Sequence, residues 1–364
     1  MSGDLKGPVH PGIAGLRPYQ PGKPVEELTR ELGIRDIIRL ASNENPRGPG
    51  EGVSRCLKDF DELSRYPDGS GFRLKNRLAA HHQIDPTRIT LGNGSNDVLD
   101  LVARVTLEPG ARVLMSQHGF VVYYLAATGC GAELVQVAAK DFGTDLDGFL
   151  AEVDDNTRLI FIANPNNPTG TWVPRDALTG FLDALPERVW VVLDEAYFEY
   201  VEEPDYPDGR SLLDCYPNLV VTRTFSKIHG LASMRVGYAL SSPEIGDLLN
   251  RARQPFNVNS LGLAAAQVAL DDEDYQVSSR SQNAQGMQLL TGAFTRMGLD
   301  YIPSVGNFVT VDVGDDASAV YERLLAQGVI VRPVAEYGLP RHLRVTIGLP
   351  EENERFLATL ERLV

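Results

Sequence analysis

From Arg88 onward, short unbroken apolar runs alternate with amphipathic stretches. The run Val189-Trp190-Val191-Val192-Leu193 has no charged position on either face, as expected of a strand covered on both sides. Similar runs predict strands over 89–91, 112–115, 133–137, 159–163, 189–193, 219–222 and 236–240. Apolar positions at helical spacing between them predict helices over 96–105, 122–128, 146–152, 175–185 and 244–251. Strands that alternate with helices define an α/β fold, a mostly parallel sheet flanked by helices.

The pattern changes after about Ser260. An Ala-rich helix over 261–270 and a second over 278–297 precede a strand in NFVTVDV, a helix in ASAVYERLLAQ, strands in VIVRPV and LRVTIG, and a final helix. This tail predicts a smaller α+β domain. Residues 1–50 are rich in Pro and Gly and predict an extended arm that wraps other structure, with one helix over 25–32. The resulting division is an N-terminal arm that joins the small domain (1–45), a large domain (46–258) and a small C-terminal domain (259–364).

Composition narrows the class. The chain carries 34 Lys and Arg against 49 Asp and Glu, a net charge of −15 with no basic block, which argues against nucleic-acid and anionic-membrane partners. No stretch approaches the roughly 18 unbroken apolar residues of a membrane span, and the N-terminus has no apolar core of a signal peptide. Cys56, Cys130 and Cys215 lie far apart with no CxxC pair, and no HExxH occurs. Neither a disulfide framework nor a metal site is expected, and a reducing cytoplasm is. A cytoplasmic enzyme fits best.

Asp194 ends the Val189–Leu193 run, and the carboxyl ends of strands are where open α/β sheets bind ligands. A buried carboxylate there needs a facing positive charge; its ordinary role is to cap the next turn or to pair with an Arg. Lys227 follows the run LVVT within TFSKIHG, among apolar and hydroxyl residues, where an amine that forms a Schiff base is at home. A plain loop lysine is the ordinary alternative. Thr224, Ser226 and Arg235 offer two hydroxyls and a guanidinium, a set suited to phosphate, although Arg235 also has many acids to pair with. The turn Gly92-Asn93-Gly94-Ser95-Asn96, with a Ser cap, aims a helix N-terminus outward and also suits a phosphate. Asn164-Pro165-Asn166-Asn167-Pro168-Thr169-Gly170 is a loop stiffened by two prolines that fixes its Asn side chains. Phe120 and Tyr123 follow a strand end, where an aromatic stacks on a flat ring or simply packs in the core. Combined, these residues specify pyridoxal 5′-phosphate, whose electronics are set by a lysine imine and an acid at the ring nitrogen.

The stretches LRPYQPGKP, LASNENPRGP, RYPDGSG, NPNNPTG, DEAYFEY, TFSKIHGLASMRVGY and YGLPRHLRVTIG, with an Arg eight residues after the lysine, resemble the fold-type I, class II pyridoxal-phosphate-dependent aminotransferases, and among them the histidinol-phosphate branch. The resemblance runs over nearly the whole chain. It implies that Lys227 holds the cofactor and shuttles a proton, that Asp194 faces the ring nitrogen, that Asn167 and Tyr197 reach the ring hydroxyl, and that Phe120 stacks on the ring. Ser95, Asn96, Thr224, Ser226 and Arg235 would bind the cofactor phosphate, joined by Tyr66 from the other subunit of a homodimer. Arg344 and Arg332, with Tyr19 and Asn43, would bind small-molecule substrates, an amino-acid donor and a phosphorylated keto acceptor. The alternatives on the same scaffold are an aromatic amino-acid aminotransferase and threonine-phosphate decarboxylase; a binding domain with a dead site would have lost the lysine or the acid. Ile228-His229 and Ser233-Met234 depart from the family pattern and are expected to reshape the substrate side.

Overall fold

The computed structural model describes residues 9–364 apart from 17 and 19–21. Its strands are β1 (Ile38–Arg39), β2 (Ile89–Gly92), β3 (Arg112–Ser116), β4 (Glu133–Val137), β5 (Thr157–Ala163), β6 (Trp190–Asp194), β7 (Leu219–Thr224), β8 (Gly237–Leu240), β9 (Tyr301–Ile302), β10 (Phe308–Asp312), β11 (Val329–Ile330), β12 (Arg332–Pro333) and β13 (His342–Thr346). Seven of them form the central sheet in the order β2-β8-β7-β6-β5-β3-β4. The pairs among β3, β4, β5, β6 and β7 are parallel, whereas β8 runs antiparallel to both β2 and β7.

Alternate residues of each central strand enter different cores. Ile160, Val191, Leu193 and Val221 pack on one face of the sheet, and Leu159, Phe161, Val192 and Val220 on the other. Both faces are therefore dry, which is why the strands read as unbroken apolar runs. The parallel strands β5 and β6 and the neighbouring β7 bring Ala163, Asp194 and Thr224 to one edge, the place a ligand site is expected.

The tail folds around a four-stranded antiparallel sheet, β12-β13-β10-β9, while β1 pairs in parallel with β11. The run VIVRPV, expected as one strand, thus splits between two sheets. Ile38 and Leu40 of the arm enter the same core as Val309, Val345 and Phe356. The second long helix spans Glu273–Met297, longer than its apolar pattern indicates. Its polar first turn hides the start, which Asp272 caps by accepting from the Tyr275 N–H. Helices Glu51–Lys58 and Phe72–His82 lie in a stretch with no clear strand or helix pattern, and bury Val53, Leu74 and Leu78 with Ala265 and Ala266 of helix Ser260–Leu270. No helix among the described residues is long and apolar enough to cross a membrane.

Candidate active site

A cavity of about 210 Å³ opens at the carboxyl ends of the central strands, and thirteen of the residues expected at the site line it. They converge from six separate stretches of chain: Asn43; Ser95 and Asn96; Phe120; Asn167; Asp194, Tyr197, Thr224, Ser226, Lys227 and Arg235; and Arg332 with Arg344.

Ser95 is the first residue of helix Ser95–Thr106, not its cap. Gly94 takes the cap position at φ 80°, and the Ser95 hydroxyl makes no cap hydrogen bond. A Cβ on Gly94 would meet the Arg235 guanidinium at 2.3 Å, so glycine is what lets that guanidinium lie against the helix N-terminus. Arg235 donates to Ser226 Oγ at 3.3 Å and to the Ala232 carbonyl at 3.0 Å, and Thr224 Oγ1 accepts from the Ser226 N–H at 3.1 Å. Two hydroxyls, a guanidinium and a positive helix end form a cradle for a phosphate.

Asp194 is 5% exposed. Tyr123 donates to its Oδ2 at 2.8 Å and Thr222 to its Oδ1 at 2.9 Å. Burial pushes its carboxyl above the usual range, and the two donors and the Lys227 amine pull back against that. For Tyr123 the sequence offered a ring that stacks on a ligand or packs in the core, and not a role for its hydroxyl. Its ring stacks on Phe161 at 4.6 Å, as a core aromatic would, but its hydroxyl orients the acid. Phe120 meets Tyr123 edge-on at 5.8 Å and leaves its own ring at the cavity wall.

Lys227 Nζ donates to the Ser42 carbonyl at 3.1 Å and lies 5.3 Å from the centre of the Tyr197 ring. Desolvation by its surroundings first, then the Arg344 guanidinium, lower the amine to about 7, so a substantial fraction is neutral and nucleophilic near neutral pH. Tyr197 is buried, which raises its hydroxyl above the ordinary value and keeps it protonated as a donor.

The NPNNPTG loop divides its asparagines. Asn164 accepts from the Val173 N–H at 2.8 Å, and Asn166 donates to Thr169 Oγ1 at 2.8 Å and to the His118 carbonyl at 3.2 Å, so both are spent on holding the loop in place. Asn167 alone of the three lines the cavity, where its Oδ1 accepts from Arg344. Arg344 also donates to the Ala41 carbonyl, and Arg332 pairs with Glu336. Tyr337, which the sequence did not single out, completes that wall.

Asn43, Ile228, His229, Ser233 and Met234 differ from expectation, whereas Tyr66 is exposed, as a residue expected to reach another subunit's site is. Asn43 lines the cavity, but its amide is spent on Tyr197 and Thr346, so it acts through Tyr197. Tyr66 is 83% exposed and stacks on Phe256 at 4.9 Å, away from this chain's own cavity. Tyr19 lies outside the described residues. Ile228 packs with Tyr197, Tyr200 and Phe308, His229 is buried against Phe225, and neither these nor Ser233 and Met234 line the cavity.

An amine, a buried acid, a wall ring and a phosphate cradle in one cavity fit pyridoxal 5′-phosphate. Residues 35–360 match the model of the aminotransferase class I and II family. The chain belongs to that family. It is 55% identical over 367 residues to histidinol-phosphate aminotransferase 2 of Pseudomonas fluorescens (strain Pf0-1), covering 100% of this chain and 99% of that one. It is 56% identical over 359 residues to histidinol-phosphate aminotransferase 2 of Pseudomonas aeruginosa (strain PAO1), covering 98% and 97%. Among solved structures it is similar to histidinol-phosphate aminotransferase from Sinorhizobium meliloti in complex with pyridoxal-5′-phosphate, with a TM-score of 0.91, 33% identity and full coverage of both chains.

Proposed function

We propose that this chain is a pyridoxal-phosphate-dependent transaminase that interconverts histidinol phosphate plus 2-oxoglutarate and imidazole acetol phosphate plus glutamate. The observation that carries the reading is the convergence of Lys227, Asp194 and the phosphate cradle on one cavity that Arg332 and Arg344 also line.

When bound, pyridoxal phosphate supplies an electron sink for the charge that develops at the substrate carbon. The rest falls to the protein. Lys227 Nζ would hold the cofactor, and its free amine would take and return the proton at the substrate carbon that bears nitrogen. Asp194, oriented by Tyr123 and Thr222, holds a proton on the ring nitrogen by its negative charge. Tyr197 and Asn167 would hold the ring hydroxyl, and Phe120 would pack against the ring. Arg344 and Arg332 take the anionic end of each substrate in turn. Histidinol phosphate has no carboxylate, so its phosphate takes the place that a carboxylate of glutamate occupies in the other half-reaction. The enzyme works as a homodimer in the cytoplasm, and Tyr66 crosses to the partner's phosphate cradle.

Half-reaction kinetics test the reading. Glutamate and histidinol phosphate are each expected to convert the bound cofactor to its amine form. Histidinol phosphate should be strongly preferred over dephosphorylated histidinol and over phenylalanine. Faster turnover of phenylalanine or tyrosine would keep the reaction class and replace the substrate.

A further inference from the structure

Residues 41–43 touch three groups of the cavity in succession. The Ala41 carbonyl accepts from Arg344, the Ser42 carbonyl accepts from Lys227 Nζ, and Asn43 Nδ2 donates to the Tyr197 hydroxyl oxygen at 2.9 Å. Asn43 is itself held firmly. Its backbone sits at φ 54°, in the left-handed region that Asn tolerates better than most residues. Its N–H donates to Thr346 Oγ1 at 2.9 Å, and its carbonyl accepts from Asn307 at 3.0 Å.

The direction of these bonds follows from proton counting. Thr346 Oγ1 accepts the Asn43 N–H, and its own single proton goes to Asn43 Oδ1 at 3.1 Å. With the Asn43 amide turned the other way, the buried Thr346 hydroxyl would have no acceptor for its proton among the described residues, which is costly. Oδ1 therefore faces Thr346, and the NH₂ faces Tyr197. Because the Tyr197 oxygen already accepts from Asn43, its one O–H is left to donate elsewhere, and the cavity is the side it lines. Arg344, Asp194 and Lys227 are the charged groups that face Tyr197, with Tyr123 beyond Asp194.

We infer that Thr346 and Asn43 are positioning residues that fix the direction of the Tyr197 O–H, so that its proton is donated into the cavity to the ring hydroxyl oxygen of the cofactor. The inference rests on the cofactor reading proposed above. A donor on that oxygen stabilises its deprotonated form, and a tyrosine free to rotate does so less well.

The test is a visible-absorbance pH titration of purified holoenzyme. Thr346→Val breaks the lock without changing any charge, and the titration midpoint is expected to rise by about one pH unit, the scale of one neutral hydrogen bond. Asn43→Ala removes the donor itself and should raise the midpoint likewise, which provides the reading if the valine variant folds poorly. Thr346→Ser keeps the hydroxyl and should restore the wild-type midpoint. In the Tyr197→Phe background, which should itself titrate high, Thr346→Val should produce no further shift. Wild-type midpoints in both Thr346→Val and Asn43→Ala would overturn the inference, as would an equal further shift on top of Tyr197→Phe. Failure of the cofactor reading would show separately, as wild-type protein that takes up no pyridoxal phosphate.

Discussion

Arg332 and Arg344 stand directly opposite each other across the antiparallel pair β12–β13, and both are buried at the cavity wall. Like charges at opposed positions destabilise a sheet, and buried cations need partners. Arg344 meets neutral acceptors on Asn167 and Ala41, while Arg332 meets Glu336. Two guanidiniums on one cavity wall suit an anionic substrate end. A charge-assisted hydrogen bond contributes about 1.5–3 kcal/mol. Arg344→Ala is therefore expected to lower kcat/KM by about tenfold or more in both half-reactions. Steady-state kinetics with glutamate and with histidinol phosphate check this; a loss confined to one of them would place the other's anion elsewhere.

The Lys227 amine, lowered to about 7 from 10.5, gives a pH dependence with a definite sign. Between those two values the folded chain binds fewer protons than the unfolded one, and the amine of the folded chain is the free base. Uptake of pyridoxal phosphate by cofactor-free protein requires that free base. Its rate should rise with pH up to about 7 and then level off. Arg344→Ala removes the second cause of the lowering, so the inflection should move to higher pH. Stopped-flow absorbance measures both, and a wild-type rate that keeps climbing well past neutrality would contradict the assignment.

The strands, the parallel character of the sheet and the cavity's main residues were legible because each depends on local pattern or on a short motif. Asp194 could be placed because an acid at the end of an apolar run sits at the sheet's ligand-binding edge. What supports it was not legible. Thr222 reaches Asp194 because β6 and β7 pair with those two residues in register, and register is a property of the folded sheet. Tyr123 reads as core in the sequence since its ring is core; only its hydroxyl, 71 positions from Asp194 in the chain, is functional. The Ser95 cap failed for a local reason, because the glycine before it takes the positive φ and the capping place with it.

Beside Asp194, Glu195 turns away from the cavity into an ion pair with Arg223 at 2.8 Å, and the Arg223 guanidinium lies 3.5 Å from the centre of the Phe198 ring. The pair ties the ends of β6 and β7 together, directly under Asp194 and Thr224. Burial raises the Glu195 carboxyl to about 7, against the pull of Arg223. The folded chain then binds more protons than the unfolded one between about 4.5 and 7, so this group's contribution is fully present below that window and is lost as pH rises through it. Arg223→Met leaves the carboxylate without its cation and is expected to cost about 3–5 kcal/mol at neutral pH. The cost should shrink as pH falls, because protonated Glu195 no longer needs the cation. Urea unfolding across that range reads the difference, and a cost independent of pH would assign the loss to packing alone.

Tyr66 provides the test of assembly. It is exposed, and Phe256, on which its ring stacks, is 46% exposed as well. An exposed aromatic pair of this kind suits a surface made for a partner. If the partner is a second copy whose phosphate cradle receives Tyr66, then Lys227→Ala and Tyr66→Ala are defects in different parts of one composite site. Each homodimer would be impaired at both sites. A mixed dimer would hold one site with both groups intact, lysine from one chain and tyrosine from the other, and one site lacking both. Co-refolding the two variants is therefore expected to recover activity that neither shows alone, up to about half the wild-type rate per mixed dimer. Tandem affinity tags isolate that dimer. A purified mixed dimer no more active than the Tyr66→Ala homodimer would place the tyrosine outside the partner's site.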